Sequence, residues 1–159
     1  MTSNPYLVPA PIGKVLSLLP SFPRSFAFVS ALNIVLLKQF PADVIEALNN
    51  KTLRIHVKDA QLSFDFKCVN GRFVVASDVG KPDLCITASA YDFYLLAQQK
   101  VDPDTLFFSQ RLSMEGDTEL GVLVKNTLDA ISLPKFGLED LKPAAVWSRF
   151  TMLFRHSGR

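Results

Sequence analysis

Five carboxylates gather between Asp102 and Glu119: Asp102, Asp104, Glu115, Asp117 and Glu119. Carboxylates at that density can work as a general acid and base. Helix starts account for most of them more simply. Asp102 stands before Pro103 and Asp117 after Gly116, where a side-chain oxygen accepts from the orphan N–H groups of a first turn. Asp104 and Glu119 then fall in first turns, where the helix dipole favours negative charge. Of the two histidines, His56 sits between Arg54 and Lys58 with no neighbour placed to orient it as a base, and His156 lies close to the last residue. Cys68 and Cys85 have no short paired spacing and read as reduced thiols. There is no glycine-rich phosphate loop, no nucleophile-elbow serine and no metal-ligand spacing. No catalytic residue, metal ligand or cofactor is assigned on these grounds, and the chain does not read as an enzyme.

What the chain has in excess is apolar surface. Hydrophobic residues make up 48% and charged ones 20%, with 13 Phe among 159 residues, a greasier balance than an average soluble domain. The charge of +2, from 17 basic and 15 acidic residues, creates no global field for nucleic acid. No apolar run reaches the roughly 18 residues of a spanning helix, and the first residues lack a secretory layout, so a cytoplasmic protein is expected.

These side chains need elements to position them. Residues 1–24, with five of the ten prolines, read as an irregular arm. Ser25 to Leu37 is apolar all round, which suits a helix buried on most sides, at a partner or homodimer contact, or on a membrane surface. Pro41 opens another helix, with Val44, Ile45 and Leu48 inward, and Asn49-Asn50 ends it. Leu53, Ile55 and Val57, then Leu62, Phe64 and Phe66, then Phe73 and Val75 alternate with polar residues as three antiparallel strands, the last two joined by the turn pair Asn70-Gly71. Leu84, Ile86 and Ala88 make a fourth strand. Ser89 and Asp92 fit a capping box for a helix to about Gln99. Asp102-Pro103 opens a short helical turn, Arg111 to Glu115 alternates as a fifth strand with Arg111 on its wet face, and Leu120, Leu123, Val124, Leu128 and Ile131 mark one face of a helix capped by Asp117. Residues 25–133 read as the folded domain, and residues 134–159 as an amphipathic basic helix with Val146, Phe150, Leu153 and Phe154 on one side. Arg149 and Arg155 on its outer face are candidates for headgroup or membrane contact.

Phe64, Phe66, Phe73, Phe93, Phe107, Phe108, Leu112, Met114, Leu123 and Val124 all point toward one sheet face or the helices over it. They either pack densely or line a cavity of about 300 to 1,000 Å³, the size that holds a drug-like or lipid ligand. Periodicity does not separate the two, and on pattern alone dense packing is the commoner outcome.

The strand ending in Glu115-Gly116-Asp117 and feeding an apolar-faced helix resembles the sterol carrier protein type-2 domain. The longer run DPDTLFF, RLSMEGDTELG and VKN is similar to a bacterial family of ubiquinone biosynthesis accessory factors with that domain, over roughly Phe40 to Leu133. The resemblance implies an α/β fold of the α+β type, a five-stranded mainly antiparallel sheet with helices on one face. It also implies a non-catalytic lipid binder in the oxygen-independent branch of ubiquinone biosynthesis. The ten apolar residues named above would hold an isoprenoid quinone precursor or a phospholipid. UbiU- and UbiV-like iron–sulfur proteins would be partners, and the location cytoplasmic, peripheral at the inner membrane. The other reading is a protein-interaction scaffold with a packed core and no lipid, whose first helix binds a partner through Phe28 and Leu32.

Overall fold

The alternation that starts at Leu53 becomes a sheet with one dry and one wet face. The computed structural model describes residues 21–132. The strands are β1 (Thr52–Val57), β2 (Leu62–Val69), β3 (Arg72–Val75), β4 (Leu84–Ala88) and β5 (Leu112–Gly116), arranged in the order β3-β2-β1-β4-β5. β1, β2 and β3 form the expected antiparallel meander, with Leu53 opposite Phe66 and Cys68 opposite Phe73. Asn70 and Gly71 both take positive φ, 49° and 74°, as the tight hairpin turn requires. The chain then crosses the sheet. β4 lies parallel to β1, pairing Ile55 with Ile86, and β5 returns antiparallel to β4, pairing Ile86 with Met114. The sheet is therefore mainly antiparallel with one parallel join.

The helices lie on the dry face. Helix α1 (Ser21–Val35) is followed by a 3-10 turn at Leu37–Gln39 and by α2 (Ala42–Leu48). Helix α1 starts four residues before the Ser25 expected from composition. Pro23 falls within its first turn, where a missing N–H costs no helix bond. Residues 1–20 and the basic segment 134–159 lie outside the described residues. Pro41 is not the first helical residue of α2: its ψ of 151° is extended and it serves as the cap, as a residue just outside the first turn does.

Helices α3 (Ala90–Ala97), α4 (Pro103–Phe108) and α5 (Thr118–Ala130) complete the layer, each with the cap expected for it. Ser89 Oγ accepts from Asp92 N at 3.1 Å, the Asp102 carboxylate from Thr105 N at 3.2 Å, and Asp117 Oδ1 from Leu120 N at 3.0 Å. Gly116 ends β5 at φ 122°, and a Cβ there would stand 2.2 Å from Asp83 O. Only glycine lets the strand close up under that carbonyl, which accepts from Asp117 N at 2.8 Å. Among the described residues, no helix is long and apolar enough to cross a membrane.

The core lies between sheet and helices. Leu48, Leu84, Leu106, Leu112 and Cys68 are the largest of its fully buried side chains. At the sheet edge Asn33 of α1 behaves like one more strand residue. Its Nδ2 donates to Phe73 O at 2.8 Å, and Phe73 N donates to its Oδ1 at 2.9 Å. The Phe73 backbone on the outer edge of β3 is thereby satisfied by a side chain.

Candidate functional site

Two apolar hollows flank α5. The inner one, about 60 Å³ and open on one side like the outer, is lined by Leu32 of α1 and Leu36 just after it, by Phe40 and Leu48, by Leu53, Ile55, Phe66, Phe73 and Ile86 from the sheet, and by Val124 and Leu128 of α5. Every one of those side chains is apolar. The outer cleft, about 200 Å³, opens between α4, β5 and α5 and is lined by Leu84, Phe107, Phe108, Met114, Gly116, Gly121 and Val122, with Asp117, Thr118 and Lys125 along its polar rim. Helix α5 is the wall common to both. A third hollow of about 110 Å³ lies toward the end of α5, between Leu96, Val101, Pro103 and Leu128.

Aromatic packing explains why the interior is smaller than the 300 to 1,000 Å³ expected of one cavity. Phe28 of α1 stacks on Phe64 at 4.2 Å between ring centroids, and Phe73 meets Phe66 edge-on at 5.4 Å and Phe40 at 6.2 Å. Such pairs gain about 0.5–1.5 kcal/mol each beyond their buried area, so the rings close the space between layers. The larger hollows, about 300 and 430 Å³, lie on the polar side of the sheet among Arg54, Lys67, Asp78, Lys81, Cys85 and Glu115.

The ten apolar residues expected to act together fall into three groups. Phe66, Phe73 and Val124 line the inner cavity. Phe107, Phe108 and Met114 line the outer cleft. Phe64 and Leu112 are buried in the core and Phe93 and Leu123 pack against it, lining neither hollow. Phe107 and Phe108 do not point inward, being 42% and 80% exposed. Leu106 takes the fully buried position of α4, and at about 100° per residue the next two side chains rotate away from it. The sequence reading left out Leu32, Leu36 and Phe40, because a helix apolar all round declares no inner face. It also left out Leu53, Ile55 and Ile86, whose strand alternation had already placed them on the dry side. Arg149 and Arg155 lie outside the described residues.

The polar groups are engaged in structure. Asp104 pairs with Lys125, and Asp117 lies 3.9 Å from Lys51. Arg111 is not an outer-face strand residue: it precedes β5 and pairs with the buried Asp92, which also accepts from Ser89 Oγ. A carboxylate taken out of water needs such partners. His56 Nδ1 lies 2.8 Å from Ser63 Oγ on the wet face. Arg54 holds Asp65 through two nitrogens at 2.6 and 2.8 Å, and this hydrogen-bonded carboxylate raises the guanidinium pKa further. Both cysteines are free. Burial raises the Cys68 thiol pKa, against a weaker hydrogen bond from the Gly71 backbone. Among the described residues no three His, Cys, Asp or Glu side chains converge on a metal-sized site.

The sequence is similar to known proteins over this same region. Ubiquinone biosynthesis accessory factor UbiT from Escherichia coli K12 is 47% identical over 89 residues, 56% of this chain and 51% of that protein, and UbiT from Escherichia coli O157:H7 matches equally. The match thus spans about half the length of these relatives. Among solved structures, the UbiJ-SCP2 ubiquinone synthesis protein superposes with a TM-score of 0.54 at 24% identity, covering 69% of this chain and 97% of that one. The sec-alkylsulfatase Pisa1 from a Pseudomonas species superposes at 0.51 with 22% identity, over 70% of this chain and 17% of that one. At those identities the likeness concerns the fold alone. Residues 35–129, which build the sheet, all of the inner cavity but Leu32, and nearly all of α5, match the SCP-2 sterol transfer family, and the chain belongs to that family.

Proposed function

We propose that this chain is a non-catalytic lipid-binding accessory factor of ubiquinone biosynthesis, working in the oxygen-independent branch. In this reading it holds an isoprenoid quinone precursor or a phospholipid between sheet and helices and presents it to UbiU- and UbiV-like iron–sulfur proteins. The observation that carries the reading is an all-apolar inner cavity sharing the wall α5 with an open apolar cleft. The 47% identity to UbiT supports the pathway. A tail entering this space leaves water at about 0.8 kcal/mol per buried CH₂, while its ring or headgroup stays at the polar rim of the cleft, within reach of another protein.

Organic extraction of the purified chain, followed by mass spectrometry against a lipid-free protein of similar size, tests this. A stoichiometric quinone precursor or phospholipid is expected. Met114→Lys places an ammonium in the cleft wall, and lipid content should then fall at least several-fold with the fold retained. Unchanged content in the folded variant would remove the cleft from the site.

The small inner volume favours a second reading, a packed scaffold that binds a protein and carries no lipid. Phe28 and Leu32, named for that contact, are both half-buried, Phe28 stacking on Phe64 and Leu32 lining the inner hollow. Ile34 and Phe26, 69% and 60% exposed, are the large apolar side chains of α1 that a partner would meet. A chain that extracts empty and takes up no added lipid would favour the scaffold.

A further inference from the structure

The two edges of the sheet are finished differently. On β3 the outward backbone of Phe73 is bonded by the Asn33 side chain. On β5 two bonds fix which way each backbone group faces. Asp117 N donates to Asp83 O at 2.8 Å, which makes these two a hydrogen-bonded pair of the antiparallel ladder. The register then gives the same role to Cys85 with Glu115 and to Thr87 with Ser113. Lys58 N donates to Ala88 O at 3.0 Å, so Ala88 faces β1, as that alternation requires. Leu112 and Met114 therefore direct their N–H and C=O groups away from the sheet, and among the described residues no partner meets them. Beside this edge, on the dry side, lies the outer cleft, where Met114 stands with Phe108 and Val122, 80% and 48% exposed. Residues 101–132 carry six acidic and two basic side chains, a net charge of −4. Both basic ones are paired, Arg111 with Asp92 and Lys125 with Asp104, whereas Glu115 and Glu119 are exposed.

We propose that the free edge of β5 takes up an extended segment of another protein as a further antiparallel strand, with apolar residues at every second position and basic residues between them. The outward groups of Leu112 and Met114 bond its backbone, in the antiparallel sense because that pairing is the more stable per residue. Side chains directly opposite each other lie on the same face. The residues opposite Leu112 and Met114 therefore fall on the dry face and enter the cleft beside Phe108 and Val122. Those between them fall on the wet face beside Glu115, where basic residues complement the local charge. Backbone bonds supply the affinity, and the cleft selects the alternate side chains. A second copy of this chain fits the edge less well, because its own charge of −4 over the same residues would meet like charge. Such a strand needs nothing inside the chain, so the edge is open to it, beyond the lipid reading, whether the interior carries lipid or is packed.

The probe is a peptide of alternating valine and lysine, blocked at both ends and long enough to span the five residues of β5. It is added to the full chain, extracted free of lipid. At saturation the amide hydrogens of Leu112 and Met114 should exchange about tenfold more slowly, while those of Ser113 and Glu115, already bonded to β4, should not change. The valine amides of the bound peptide face β5 and its lysine amides face away. N-methylation of the valines should therefore abolish binding, and N-methylation of the lysines should leave it within about twofold. Glu115→Lys, at an exposed and therefore tolerant position, should weaken the valine–lysine peptide about tenfold and strengthen a valine–glutamate peptide by a similar factor. No slowing at Met114, or equal binding of the two methylated peptides, would overturn the proposal. So would slow exchange at Met114 in the chain alone. If it varied with protein concentration the edge would belong to a second copy, and if it did not, the chain itself would cover the edge.

Discussion

Single side chains fasten elements that are far apart in sequence. Asp83 opens β4, and its Oδ2 accepts from Thr52 N at 2.7 Å and from Thr52 Oγ1 at 2.8 Å, while Asp83 N donates back to Thr52 Oγ1 at 3.1 Å. This joins the starts of β1 and β4, the one parallel pair of the sheet. Those bonds, the Thr52 backbone N–H first, hold the Asp83 carboxyl below the ordinary carboxylate range. The folded chain therefore takes up this proton less readily than the unfolded chain. The contribution to stability is complete above the ordinary carboxylate pKa and is lost as the pH falls through the lowered folded value. Asp83→Asn keeps an accepting oxygen and loses the charge. Urea unfolding should show it weaker near neutral pH by less than about 1 kcal/mol, because water screens this partly exposed site. Its stability should also fall less than that of the native chain between about pH 5 and pH 3. Parallel decline of both proteins over that window would show that Asp83 is not one of the acid-sensitive groups.

At the scale of the element, α5 decides the shape of the site. Leu120 and Val124 anchor it in the core, and Gly121 brings it close to the sheet. A Cβ at Gly121 would meet Leu84 Cδ1 at 3.5 Å and Met114 at 4.0 Å, ordinary contacts, and the residue has no positive φ to protect. Gly121→Ala should therefore gain the helix propensity of alanine, roughly 0.5–1 kcal/mol in urea unfolding, and a loss would mean that α5 sits tighter on Leu84 than these distances show. The caps of α3, α4 and α5 were legible in the sequence because Ser89, Asp102 and Asp117 act on backbone three residues away. The Asn70-Gly71 hairpin and the dry face of each strand were legible for the same local reason. The direction of β4 was not, since alternation is identical in parallel and antiparallel strands and the partner β1 lies some thirty residues back. Nor was the Asn33 clamp, whose partner Phe73 is forty residues away, or the division of the apolar residues between two hollows, which depends on how rings stack rather than on spacing. The outward turn of Phe107 and Phe108 could have been read from Leu106, because a helix of six residues buries one narrow face.

Over the whole molecule, the difficulty for a lipid carrier is volume. An inner cavity of about 60 Å³ holds about two waters' worth of liquid volume, so a tail enters only if a covering helix moves outward. The two candidates are tied unequally. Helix α5 is held near its start by the Asp117 cap, along its length by Lys125 to Asp104, and just beyond its end by Gln99 Nε2 donating to Ile131 O. Helix α1 lies on the sheet edge, where Asn33 makes its paired bonds to Phe73 and Phe28 stacks on Phe64, and its Leu32 and the following Leu36 line the cavity. Weakening α1 should therefore ease entry more than weakening the end of α5. Asn33→Ala removes both bonds to Phe73, at a cost of roughly 1–3 kcal/mol, and should speed exchange of the Phe73 amide hydrogen. The same variant should take up a fluorescent phospholipid from vesicles several-fold faster than the native chain, whereas Gln99→Ala should leave the rate within about twofold. If Asn33→Ala exchanges its Phe73 amide faster but loads no faster, α1 is not the moving wall and entry runs past α5. If neither variant loads lipid at any rate, the packed interior is the functional state, and the scaffold reading, with Ile34 on its surface, takes precedence.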